Sequence, residues 1–254
     1  MVLLVVVALA VMFSIARRYE FAPVMRVYAR WECVRPFVVS YVRASPATFI
    51  YLMILMITTL VMVTSSNQVV ALLLQEHSTN LTELFSNPLR VVILSAFWAP
   101  NYEFLVWAIL FSLVLAPAER WLGTRRWAIV FIAGHVIATV GVAWGLWLAI
   151  RHGYASRHLE NAIDVGVSYG FATVAAVFSY RLPKRWRWWW ALALVVTAVS
   201  ALAIGRTFTD AGHLLAVCIG FACYPLSQSD EPRSRISSPI WSARPKSGDY
   251  PTRT

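Results

Sequence analysis

Residues 127–150 read WAIVFIAGHVIATVGVAWGLWLAI. Those 24 positions contain no Asp, Glu, Lys or Arg and a single histidine, His135. As a helix the stretch would be about 36 Å long at 1.5 Å per residue, enough to cross a hydrocarbon core of about 30 Å. Five further stretches qualify or nearly qualify, at about 47–65, 102–118, 161–180, 188–205 and 207–226. A seventh, Val2–Ala16, is only 15 residues long and is followed by Arg17 and Arg18. It suits a short span, an interfacial helix or an uncleaved signal-like segment, because no small-residue cleavage site follows it.

Composition agrees with this pattern. Of 254 residues, 59% are hydrophobic and 13% charged, against about 45–50% and about 25% in soluble domains. A soluble globule of this makeup would have to expose large apolar patches. A soluble enzyme, a disordered chain and a secreted disulfide scaffold are excluded, and an all-α polytopic membrane protein is expected. The three cysteines, Cys33, Cys218 and Cys223, form no disulfide, zinc or redox pattern. No metal and no cofactor are expected.

The net charge of +10 does not point to nucleic acid, because no basic patch joins a soluble domain. It sets orientation instead. With the segment before residue 47 inside, eighteen of the 22 basic side chains fall inside. Only Arg90, Arg151, Arg157 and Arg206 fall outside. By the positive-inside rule both ends of a six-helix core then face the cytoplasm. Three regions follow. Residues 1–46 are a hydrophobic segment plus a basic cytoplasmic linker, 47–226 a six-helix membrane domain, and 227–254 a Ser-, Pro- and Arg-rich tail expected to be disordered. A multi-pass protein of the cell membrane is expected.

The outside loop 66–101 is long and rich in Val, Leu, Ile, Phe and Trp. Structureless loops of that length are uncommon. Its runs Val69–Leu74 and Leu89–Trp98 are expected to form short helices lying against or within the outer leaflet.

Ionisable groups inside a bilayer are costly and usually functional. The candidates are Glu103, Glu119, His135, Asp164, Asp210 and His213, with Ser168 as a nucleophile. If the fourth span starts near Asn161, Ser168 lies about 10 Å below the outer boundary, and His213 about 8 Å below it on the sixth span. The two levels match. A serine beside a histidine base is the minimal activated nucleophile, although transmembrane serines commonly just bond a helix backbone. His135 lies deeper and reads as a packing or hydrogen-bonding residue. Asp164, four residues before Ser168, shares its helix face; it is open to pairing with His213, capping the helix or holding a proton. Gly166, Gly170, Gly212, Ala216 and Gly220 are small residues that let helices approach closely. Gly141 and Gly145 read the same way. Glu119 with Arg120, Arg125 and Arg126 reads as a boundary charge cluster, and Trp186, Trp188, Trp189 and Trp190 as an interfacial aromatic belt.

Three blocks carry a family resemblance. They are Ala118-Glu119-Arg120-Trp121-Leu122-Gly123, Gly166-Val167-Ser168, and Gly212-His213 with Gly220 seven residues on. In order and spacing they resemble the Glu-x-x-Leu-Gly, Gly-x-Ser and sixth-span histidine motifs of the rhomboid superfamily of intramembrane serine proteases. The likeness covers roughly 47–226. It implies a six-helix bundle, Ser168 as nucleophile, His213 as general base, single transmembrane segments as substrates, and no metal or cofactor. The departures are specific. Glu103 and Trp107 stand where the family's oxyanion-stabilising histidine and asparagine fall. Tyr169 replaces the glycine after the serine, Ala172 the aromatic residue that supports the histidine, and Ala216 a close-packing glycine.

Losing one oxyanion donor typically costs about 10²–10³ in rate. Two readings therefore stand level. One is a rhomboid-type protease using a Ser168–His213 dyad with a degraded oxyanion site. The other is an inactive rhomboid-like protein that binds or escorts transmembrane helices. A metal-dependent hydrolase built on His135, Asp164, Ser168 and His213 is disfavoured, since no HxxxH or HExxH pair seeds a site. A transporter is disfavoured by the lack of an inverted repeat.

Overall fold

The computed structural model describes residues 22–99, 103–162, 164 and 167–228. Val2–Ala16, Gly166 and the tail beyond residue 228 lie outside the described residues. Every regular element among the described residues is helical. A basic helix α1 (Ala22–Arg43) leads into α2 (Pro46–Thr64). Three short helices follow, α3 (Asn67–Glu76), α4 (Leu81–Ser86) and α5 (Pro88–Ser95). Next come α6 (Phe104–Leu122) and α7 (Thr124–Arg151). The bundle closes with α8 (Val167–Phe178), α9 (Lys184–Gly205) and α10 (Phe208–Ala222), then one turn, α11 (Tyr224–Ser227).

Four helices, α2, α6, α7 and α9, are long and apolar enough to cross a membrane. The fourth and sixth expected spans are shorter than anticipated. α8 has 12 residues and α10 has 15, which gives about 18 Å and 22 Å of rise. For α8 the reason is visible in the chain before it. Asp164 is not helical. Its backbone N–H donates to Ser78 Oγ at 2.6 Å, and its carbonyl accepts from Thr79 N at 2.8 Å. A main chain committed to the loop in this way cannot also make helical bonds. Asp164 therefore does not share a helix face with Ser168, contrary to the expectation from spacing.

α8 packs most heavily against α10 and α7, and α10 also packs against α7 and α9. Small residues permit the close approach. Gly212, Ala216 and Gly220 recur every fourth position on α10 and are buried. A Cβ at Gly220 would fall on the Thr173 carbonyl oxygen and within 2.6 Å of Ala176 Cβ. Gly170 faces the Phe131 ring of α7, 2.6 Å from where its Cβ would be. Gly141 meets Leu215 in the same way, but nothing lies within 4 Å of Gly145, so that glycine is not a packing position. On the other side of α7, Tyr51 of α2 packs among Phe97, Phe111 and Phe131.

Proline shapes α6. Pro117 has no N–H to donate and would crowd the carbonyl one turn back in a regular helix. The helix widens into a π-turn over Phe111–Leu115, with Ala116 N bonding Phe111 O. Ser112 O is freed by this shift, and Tyr41 Oη donates to it at 2.6 Å.

The loop between α2 and α6 is helical, as its apolar runs required. Its last helix, α5, is tied to α7. His135 Nε2 donates to Val92 O at 2.7 Å and lies 3.5 Å from Ser95 Oγ. His135 is eleven residues into α7, about 16 Å along it, so α5 sits at mid-helix depth. This is the hydrogen-bonding role expected for His135.

Candidate functional site

The expected site residues come from the start of α6, the first turn of α8 and the first two turns of α10. Ser168 is the second residue of α8 and is half-buried. His213 is the sixth residue of α10 and is half-buried too. Among the described residues neither side chain makes a hydrogen bond, so Ser168 Oγ and His213 are not bonded to each other. A base must touch the proton that it takes; this pair does not.

What touches His213 is the next residue along. The Tyr169 ring meets the imidazole edge to face, with centroids 5.2 Å apart. Tyr169 is completely buried. Its hydroxyl fills the space that a side chain at residue 212 would occupy, which is why Gly212 is needed there.

Tyr169 is one member of a buried polar cluster. Its Oη donates to Asp164 Oδ2 at 2.8 Å. Thr79 Oγ1 lies 3.3 Å from the same oxygen, and Thr209 Oγ1 lies 3.4 Å from Oδ1. Asp164 is also within electrostatic range of His213. Of the three roles open to Asp164, none of its bonds among the described residues is a helix cap. The carboxylate instead collects hydroxyls from three elements and joins the loop, α8 and α10. Asp210 is absorbed locally: its Oδ2 accepts from Thr207 N at 3.1 Å, completing a capping box on α10.

Glu103 and Trp107 face each other. Trp107 Nε1 donates to Glu103 Oε2 at 3.0 Å, so the indole N–H is already used. The indole packs edge-on against Phe111 and Phe171. Thus Phe171 stacks toward α6 while Tyr169 points toward α10. Gly170 is spent on contact with α7, and Ala216 O accepts from Thr173 Oγ1 at 3.0 Å. Among the described residues no group of His, Cys, Asp and Glu could hold a metal ion.

Glu119, read as part of a charge cluster that anchors helix ends, is 1% exposed and sits among three of them. Oε1 accepts from Ala47 N at 3.0 Å and Thr124 Oγ1 at 2.7 Å, and Oε2 accepts from Thr48 N and Thr48 Oγ1, both at 2.8 Å. One carboxylate thereby holds the first turn of α2, where the helix dipole favours negative charge, to α6 and α7.

A family model described as rhomboid-like protein matches residues 40–233. The chain belongs to the rhomboid-like protein family. The match covers every helix from α2 to α11 and spans the three motif blocks. No curated protein and no solved structure matches the chain. With four long apolar helices and this family, the rhomboid-like chain is a multi-pass membrane protein.

The residues that spacing arguments passed over are Ser78, Thr79, Tyr169 and Thr209. A signal was present for two of them. Ser78-Thr79-Asn80 is a polar run within an apolar loop, and such a run needs partners once buried. Tyr169 reads in the sequence only as a replacement for the family's glycine. Nothing local marks its hydroxyl as the partner of Asp164.

Proposed function

We propose that this rhomboid-like protein binds transmembrane helices of other proteins and does not cleave them. The observation that carries this reading is Tyr169, which takes the His213 contact that a serine nucleophile would need. Three further features support it: the engaged Trp107 donor, the carboxylate of Glu103 where a neutral donor is wanted, and a Ser168 hydroxyl that is not bonded to His213. What the family resemblance leaves in place is recognition of a transmembrane segment within a bilayer. The same reading takes α8 and α10 as two short inner spans in a six-span bundle of the cell membrane, with the N-terminal linker and the C-terminus in the cytoplasm. Ser168 and His213 are then inherited polar residues.

The test uses the full chain in liposomes with a fluorophosphonate probe and a transmembrane reporter carrying a photocrosslinker. The wild type is expected neither to label nor to cleave, while reporter crosslinking survives Ser168→Ala and His213→Ala. Labelling of the wild type that disappears in Ser168→Ala would instead establish a protease. A triple variant, Tyr169→Gly with Glu103→His and Trp107→Asn, clears the contact and restores the family's donors, each worth about 3–4 kcal/mol to an oxyanion. Ser168-dependent labelling in that variant alone identifies these substitutions as the cause of inactivity.

A further inference from the structure

The buried carboxylate of Asp164 marks the place where the loop between α2 and α6 is fastened. Helix α3 contributes no buried residue. The junction after it does: Ser78, Thr79 and Asn80 are 0%, 6% and 3% exposed. Asn80 is satisfied within the loop, by Gln75 O and Glu83 N. Ser78 and Thr79 direct their bonds to Asp164, at its N–H, its carbonyl and its Oδ2. This polar knot, and not α3, seats that part of the loop. Its other side is formed by Tyr169 and Thr209, in the first turns of α8 and α10.

The charge in the knot is unmatched. Asp164 is 4% exposed, and every hydrogen-bond partner of its carboxylate is a neutral hydroxyl. Among the described residues no lysine or arginine pairs with it. The titratable groups acting on it are Tyr169 from α8 and His213 from α10, and Asp210 acts on both of these. A buried carboxylate without a cation is costly, and burial pushes this carboxyl above the ordinary carboxylate range. The neutral acid fits the same geometry. A proton on Oδ1 can be donated to Thr209 Oγ1, because a hydroxyl accepts as well as donates, while Oδ2 still accepts from Tyr169 and Thr79.

We propose that the knot is a proton-operated latch, which holds the loop when Asp164 is neutral and loosens when it ionises. Lifting the loop returns the carboxyl to water and to its ordinary range, so the docked form holds the proton more tightly. Docking is strongest in acid and weakens as pH rises through the docked value. The test measures how often the knot opens, using the full chain in detergent with Cys33→Ala, Cys218→Ala and Cys223→Ala. Leu81, beside the knot, is 4% exposed. The rate at which dithiodipyridine labels Leu81→Cys is compared with that for Gln75→Cys, an exposed position on α3. Protection of Leu81→Cys is expected to fall at least about threefold from about pH 4 to about pH 8. Asp164→Asn, which offers a carbonyl and an N–H in place of the neutral acid, should keep the acid-level protection at every pH. Asp164→Ala should lose it at every pH, and His213→Gln should keep the full pH dependence. With Asp164 present, protection that is flat or rises with pH overturns the proposal. So does a pH dependence that survives in Asp164→Asn or vanishes in His213→Gln, since another group would then be titrating.

Discussion

Glu119 shows how one residue can tie three helices. Both carboxylate oxygens are fully used, each by two donors. Hydrogen bonds to a charged group contribute about 1.5–3 kcal/mol. Glu119→Gln keeps the shape but fails either way round, because its NH₂ must then face two donors. We expect a loss of about 3 kcal/mol or more, read as a shift in unfolding by SDS titration in mixed micelles. An unchanged transition would mean that the clamp is decorative. The glutamate's place in a boundary cluster was legible from the neighbouring charges, but its partners were not: they are 5 to 72 residues away. Tyr169 teaches the same lesson. Its identity is plain in the sequence, but its contact with His213 depends on how α8 is rotated.

At the scale of elements, the α8–α10 contact depends on the absence of side chains. At Gly220 the obstructing atoms are a backbone oxygen and a buried Cβ, neither of which can swing aside. Gly220→Val is expected to cost at least about 1–3 kcal/mol, as overpacking does, while Gly145→Ala, with open space around it, leaves unfolding unchanged. Equal effects would undo the packing argument. The π-turn of α6 gives a second prediction. Tyr41→Phe orphans Ser112 O, which should cost about 1–3 kcal/mol. In a Pro117→Ala background the new N–H can reach Ser112 O or let the helix tighten, so Tyr41→Phe should cost less there. A double-mutant cycle measures this coupling; additive losses would place the origin of the π-turn elsewhere than at Pro117.

For the whole molecule, orientation is the testable property. The 18-to-4 division of basic residues predicts that the C-terminal side is inside. Reporter fusions at Gly153, an exposed turn glycine after α7 with φ of 77°, and after Gln228 should therefore give opposite signals. Matching signals would end the six-span layout.

The sequence by itself determined the solvent, the class and the family. Apolar runs, sparse charge and three short motifs are local properties, and a bilayer demands helices from any chain that lives in it. The helical nature of the long loop was legible for the same reason. Where α8 begins, what surrounds Asp164 and which residue reaches His213 were decided only in the tertiary structure. Those outcomes depend on hydroxyls from Thr79, Tyr169 and Thr209, far apart in the chain, meeting one buried carboxylate. No periodicity encodes such a meeting, because it is selected by the cost of leaving a charged group unpaired away from water.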